Sequence, residues 1–144
     1  MKIRKASIED IEDLTSLMEQ LGYPTSVDKM EERFNHILAE PSYTTFVGDL
    51  DGKAVGMVGL NKSMFYERDG TYVRIVAFVV DAKHRRKGIG RKLLEQAEEW
   101  AKEQGAISIE LNSGNRDERR EAHQFYRKMG YENKSIGYSK SLEN

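Results

Sequence analysis

Apolar residues change their spacing along the chain, and each change marks a different element. Ile8, Ile11, Leu14, Leu17, Met18 and Leu21 recur at three and four residues, the period of an amphipathic helix. Ser7 stands before them as an N-cap residue, Glu9 and Asp10 bring acids to the first turn, and Gly22-Tyr23-Pro24 ends the run. Val27, Met30, Phe34, Ile37 and Leu38 predict a second helix from Ser26 to about Ala39, stopped by Pro41. Lys2 to Lys5, ahead of both, reads as a short first strand.

The period then changes. Tyr43 to Leu50 is rich in β-branched and aromatic residues, and Ala54 to Leu60 is apolar with interspersed glycine. Asp51-Gly52 between them predicts a hairpin. Met64 to Gly70 reads as a second turn. Tyr72 to Val80 is a nearly continuous apolar run broken by Arg74, as expected of a strand covered on both faces. Helical spacing returns in Gly88 to Gln104, through Ile89, Leu93, Ala97 and Ala101, with Gly105 as the stop. Ile107 to Leu111 alternates as a strand. Asp117 to Met129 reads as a helix capped by Gly130, and Tyr131 to Leu142 as a last strand. The order is β-α-α-β-β-β-α-β-α-β. It predicts an α+β (mixed α/β) fold: an antiparallel meander, then a strand–helix–strand unit, with helices on both faces of one sheet. At 144 residues the expectation is a single domain over residues 1–144.

Composition narrows the function. The chain has no cysteine, which excludes disulfides, cysteine-ligated metals and thiol catalysis. It also favours a reducing compartment. No apolar run approaches the ~20 residues of a membrane span, and no apolar stretch follows the first charges as in a signal peptide. The expectation is a cytoplasmic protein without membrane partners. A net charge of −1 argues against nucleic acid as a partner. That sum hides an asymmetry. Residues 1–60 carry 11 acids and 6 bases, and residues 61–144 carry 13 and 17. Lys83, Arg85, Arg86, Lys87, Arg91 and Lys92 place six positive charges in ten residues, with no acid from Ala82 to Leu94.

The basic cluster lies between the apolar strand and the third helix, around Gly88-Ile89-Gly90. A helix N-terminus presents unpaired N–H groups and a partial positive charge. Glycine lets an anion approach the backbone, and the Lys and Arg side chains attract it from a distance. The stretch therefore predicts an anion site. It is not a P-loop, which needs a glycine, four intervening residues and then Gly-Lys-Ser/Thr. It is not a dinucleotide fingerprint either, because Leu93 holds the third glycine's place and seven residues separate Val80 from Gly88. His36, His84 and His123 show no metal-ligand spacing, so no metal is expected.

Arg85-Arg86-Lys87-Gly88-Ile89-Gly90 resembles the Arg/Gln-x-x-Gly-x-Gly/Ala acetyl-CoA signature of the GNAT family of N-acetyltransferases. Ala122-His123-Gln124-Phe125-Tyr126-Arg127-Lys128-Met129-Gly130-Tyr131 is similar to that family's Ala-x-x-x-Tyr-x-x-x-Gly-Phe/Tyr segment. The order of elements agrees over nearly the whole chain. Arg119-x-x-Ala122-His123-x-Phe125-Tyr126 and Gly137 to Leu142 look most like a subgroup that includes aminoalkylphosphonate acetyltransferases, without assigning a substrate.

The resemblance implies an enzyme that moves an acetyl group from acetyl-CoA to a primary amine, in the simplest case that of a small molecule, by direct attack. It implies a mostly antiparallel twisted sheet. It assigns the pyrophosphate to the backbone of Arg86, Lys87, Gly88, Ile89, Gly90 and Arg91, with Arg85 beside them. The pantetheine arm would pair with Phe78, Val79 and Val80. Arg119 replaces the family's frequent Asn and could reach a phosphate. Tyr126 would protonate the departing thiolate. Read from spacing alone, Tyr126 could equally be a core tyrosine beside Phe125 and Met129. Many relatives carry a carboxylate in the strand before the loop, whereas Arg74 to Val79 has none. Glu67, a water chain or no base at all remain open, and so does a non-catalytic acyl-CoA sensor of the same fold. A last strand able to pair across a subunit would make a homodimer.

Overall fold

The computed structural model describes residues 1–112, 120–134 and 137–143. The chain divides into two compact units, Met1–Leu111 and Asn112–Asn144.

The first unit is built on an open five-stranded sheet in the order β1-β2-β3-β4-β5. Its strands are β1 (Lys2–Lys5), β2 (Tyr43–Leu50), β3 (Lys53–Met64), β4 (Thr71–Val80) and β5 (Ser108–Leu111). The first three pairings are antiparallel, and β4–β5 is parallel. The Asp51-Gly52 turn has the expected hairpin geometry, with φ of +52° and +89°. β3 runs four residues beyond its apolar part because Asn61, Lys62, Ser63 and Met64 keep pairing with Thr71 to Arg74.

Helix α1 (Ile11–Leu21) follows a short 3₁₀ turn, Ile8–Asp10, and α2 spans Val27–Ala39. Ile11, Leu14, Leu17 and Met18 of α1 and Met30 and Phe34 of α2 form one buried core with Val47, Ala54, Met57 and Val79 of the sheet. Gly22, at φ +107°, turns the chain out of α1. Helix α3 (Ile89–Glu103) buries Ile89, Leu93, Leu94, Ala97, Trp100 and Ala101 against the opposite sheet face. Arg4 ties three elements together: its guanidinium holds Asp10 through two bonds of 2.8 and 2.9 Å and Asp49 through a third of 2.8 Å.

Two register shifts bend the sheet. Gly48 lies opposite Gly56 but Asp49 opposite Ala54, so Val55 is the extra residue in β3. Gly59 lies opposite Ala77 but Leu60 opposite Ile75, so Val76 bulges from β4.

In the second unit, α4 spans Arg120–Lys128. Gly130 at φ +92° ends it, and the Tyr131 N–H returns to the Tyr126 carbonyl at 2.9 Å. The expected last strand over Tyr131 to Leu142 is corrected: residues 131–134 and 137–143 form no strand. Tyr138 and Leu142 keep an even spacing, but residues 137–143 are exposed and so bury no apolar face. A subunit contact through that strand therefore has no strand to carry it among the described residues.

Candidate active site

The residues expected to bind an anion come together where β4 meets α3. The chain leaves Val80 through Asp81, whose N–H donates to the Val55 carbonyl at 2.8 Å, and makes a 3₁₀ turn over Ala82–His84. Arg85 folds back, its Nε donating to the Val80 carbonyl at 3.3 Å. Arg86 at φ +64° and Gly88 at φ +81° are both left-handed. A β-carbon on Gly88 would meet nothing within 4 Å, so open space lies before the backbone here. Only glycine holds that φ without strain.

The first turn of α3 differs from its counterparts. On α2, the Ser26 hydroxyl accepts from the Lys29 N–H at 3.2 Å and Asp28 supplies an acid. On α1, Glu12 and Asp13 occupy the first turn. Helix α3 has no side-chain cap and no acid in its first turn. Its intrahelical bonding begins with the Lys92 N–H, 3.1 Å from the Gly88 carbonyl. The N–H groups ahead of it are oriented outward along the axis, among the exposed Arg85, Lys87 and Arg91. The arrangement suits an external anion.

Glycines seat this helix end on the sheet. A β-carbon at Gly56 would lie 3.0 Å from Leu93 Cδ1 and 3.2 Å from Ile89 Cγ2, and one at Gly48 would lie 3.2 Å from Ile89 Cγ2. The two glycines face each other across β2 and β3. Ile89 thus serves as a buried anchor, and its backbone faces the loop. A glycine inside a strand is a legible signal for such an approach, though not for what approaches.

A second device holds the start of the loop. The Gln20 carboxamide on α1 donates to Asp81 Oδ1 at 2.7 Å and accepts from the Ala82 N–H at 2.8 Å. His84 Nδ1 donates to Asp81 Oδ2 at 2.6 Å. Hydrogen bonds from Gln20 and then His84 hold the Asp81 carboxyl below the usual carboxylate range. No sequence pattern marks Gln20, which lies on the polar side of α1.

Beyond the bulge, the described ladder on the β5 side of β4 stops. The parallel ladder with β5 ends at Ile75 opposite Leu111. Val76 to Val80 continue with no strand on that side among the described residues. Val79 turns its side chain into the core under α1 and α2, so only its backbone can serve a ligand. Phe78 and Val80 are half-buried.

A family model described as acetyltransferase (GNAT) family matches residues 8–131. The chain belongs to that family. It is an acyltransferase, and its class is N-acetyltransferase. It is similar to the aminoalkylphosphonate N-acetyltransferase of Salmonella typhimurium, 29% identical over 142 residues that cover 98% of this chain and 91% of the relative. An uncharacterized N-acetyltransferase of Archaeoglobus fulgidus is 30% identical over 88% of this chain and 89% of its own. Among solved structures, a GNAT family acetyltransferase of Staphylococcus aureus matches with a TM-score of 0.85 and 33% identity, over 98% of both chains.

Tyr126, Arg119 and Glu67 lie outside the loop in the sequence. Tyr126 is half-buried on α4, its ring 5.7 Å from Phe125 and 6.1 Å from Tyr131 between centroids. Arg119 lies outside the described residues. Glu67 is exposed in the turn between β3 and β4. Thr71, where β4 begins, pairs with Met64, five residues along β3 from Gly59 opposite the bulge, so at ~3.3 Å per residue the start of β4 is about 16 Å from the bulge and the hairpin tip lies beyond it. Glu67 is not brought to the Val80 end of β4.

Proposed function

We propose that this chain transfers an acetyl group from acetyl-CoA to the primary amine of a small molecule by direct attack. The first turn of α3 carries the proposal: it has neither cap nor acid, is flanked by six basic residues, and is seated on the sheet by Gly48 and Gly56. The backbone from Arg86 to Arg91 would hold the pyrophosphate, with Arg85 and Lys87 adding charge. Phe78, Val79 and Val80 would pair with the pantetheine arm along β4 past Ile75, where its ladder with β5 ends. Acetyl-CoA supplies the acetyl group as a thioester. A main-chain N–H near Val80 would stabilise charge developing on the carbonyl oxygen. Tyr126 is assigned the proton donation to the thiolate, since a phenol with a pKa near 10 stays protonated at neutral pH. Arg119 is assigned a phosphate contact.

The small-molecule acceptor is supported by similarity to an enzyme named for aminoalkylphosphonates. A single acetyltransferase domain over 1–144 is supported by a family match over residues 8–131, which reaches from the first compact unit into the second. The cysteine-free composition supports a cytoplasmic location. No helix among the described residues is long and apolar enough to cross a membrane.

Thermal unfolding with and without CoA tests the site. Ligand at ~100 times its dissociation constant adds about 2.7 kcal/mol of stability. Gly88→Val should remove that gain, because a side chain would block the approach of an anion to the backbone. An unchanged gain in Gly88→Val would remove the basis for the site. Release of free thiol with a panel of amines separates the enzyme from the acyl-CoA sensor, which the carboxylate-free run Arg74 to Val79 would suit.

A further inference from the structure

The sheet face under α1 and α2 continues past those helices, and its register can be followed residue by residue. Met57 and Ala77 pack in or against the core on that face. A β-carbon at Gly59 would meet Met57 Cε at 3.8 Å, Ala77 Cβ at 3.7 Å and Val76 Cγ2 at 3.5 Å, so Gly59 and the bulged Val76 share it. Alternation along β3 carries Asn61 to the same face. Asn61 pairs with Arg74 on β4, and Arg74 with Glu110 on β5. Cross-strand partners share a face, so Asn61, Arg74 and Glu110 form one polar row. Val76 is 46% exposed, which shows that the helices leave this part of the sheet open.

Within the row, Asn61 is satisfied: it donates to Ser42 Oγ at 3.2 Å and accepts from Ser63 Oγ at 2.9 Å. Arg74 and Glu110 are both exposed. They stand on strands about 4.8 Å apart, yet they close no ion pair with each other, and neither makes a side-chain hydrogen bond or ion pair among the described residues. Two opposite charges fixed side by side on a sheet form a surface dipole. The complementary ligand is an antiparallel dipole, with an ammonium over Glu110 and an anionic group over Arg74. A simple alkylammonium would meet Glu110 but be repelled by Arg74, and a plain anion would meet the reverse. The row lies two residues, about 6.6 Å of strand, from the bulge at Val76. An amine held there is within a short reach of the β4 edge assigned to the pantetheine arm.

We propose that Arg74 and Glu110 read the acceptor as a zwitterion, a small primary amine that carries its own phosphonate or carboxylate. The proposal rests on the acetyltransferase reading above. Arg74 holds the anionic group and Glu110 the ammonium, so the pair selects the acceptor and sets its direction on the sheet.

Free thiol release from acetyl-CoA is measured with 2-aminoethylphosphonate, β-alanine and propylamine. At least one acidic amine should exceed propylamine in kcat/KM by at least about tenfold, the scale of one hydrogen-bonded charge. The stronger of the two acidic amines identifies the anionic group. Arg74→Gln should collapse that ratio by a similar factor, through KM, and Arg74→Lys should restore part of it. Glu110→Gln should raise KM for both acidic amines. Equal use of propylamine by the unaltered protein overturns the proposal. So does an Arg74→Gln effect that lowers all three amines alike. Absence of release with every amine, in a protein whose melting temperature rises with CoA, overturns the acceptor class and leaves the cofactor site standing. No rise with CoA takes down the acetyltransferase reading as well.

Discussion

Gln20 and Asp81 lie 61 residues apart in the chain, and their side chains meet at 2.7 Å. One carboxamide satisfies both a carboxylate oxygen and the Ala82 N–H, so the last turn of α1 fixes the first residues of the basic loop. Asp81 passes the constraint on to His84. The helix that lines one face of the sheet is thereby joined to the loop that leads into α3.

Gln20→Ala should therefore weaken CoA binding more than it weakens the fold. Each exposed hydrogen bond contributes roughly 0.5–1.5 kcal/mol, so if one bond's worth passes to CoA binding the dissociation constant should rise about two- to tenfold. Calorimetric titration with CoA reads this directly, and the melting temperature of the free protein should barely move. Gln20→Glu keeps an acceptor for Ala82 but sets a carboxylate against Asp81, and should not rescue affinity. Unchanged affinity in both variants would reduce the clasp to a surface contact.

Arg4 and Asp10 should govern acid stability. The Asp10 carboxyl is held below its ordinary range, first by the hydrogen bonds from Arg4. A carboxyl lowered on folding contributes fully above its unfolded value of ~3.9, and the contribution is lost as pH falls through the lower folded value. Asp10→Asn should cost about 1–3 kcal/mol at pH 7, the scale of a lost charged hydrogen bond. The gap to the unaltered protein should narrow below roughly pH 4. Urea titrations at pH 7 and near pH 3 check both the size and the sign.

The Gly56 contact makes a sharper test of how α3 is seated. An alanine β-carbon would lie 3.0 Å from Leu93 Cδ1 and 3.3 Å from the Val79 carbonyl oxygen. The side chain could turn, but the carbonyl belongs to β4 and cannot easily yield. Gly56→Ala should destabilise the fold by about 1–3 kcal/mol. It should also weaken CoA binding, because the first turn of α3 would lift from the sheet. Loss of stability with full CoA affinity would show that the helix end adjusts independently of the loop.

These contacts mark where sequence reading stops. The period of α1, the Asp51-Gly52 hairpin and the boundaries of α3 were legible because each is set by neighbours in the chain. The bulge at Val76 was not, since a continuously apolar strand hides any change of face. Gln20 was invisible for a related reason: its partners lie on another element, and a glutamine on the polar side of a helix carries no pattern. The basic loop was legible because its charges and glycines are contiguous. In the sequence Glu110 is simply the polar member of an alternating strand, and only its register with Arg74 gives it a neighbour.

Tyr126 is the side chain assigned to proton transfer, and its test separates chemistry from packing. It follows Ala122 by one helical turn on α4, with aromatic neighbours at 5.7 and 6.1 Å. Proton donation of this kind contributes ~10²–10⁴-fold in rate. Tyr126→Phe removes only the hydroxyl and keeps the ring among its neighbours. Turnover should fall by at least about tenfold, a barrier increase of ~1.4 kcal/mol. The dissociation constant for CoA and the melting temperature should stay close to their original values. Lost stability with retained turnover would instead make Tyr126 a packing residue with a hydrogen bond to protect. Unchanged turnover and stability would mean that solvent protonates the thiolate. In either case the α3 anion site would stand, because it rests on Gly88, the open first turn and the glycines beneath it, and not on the second unit.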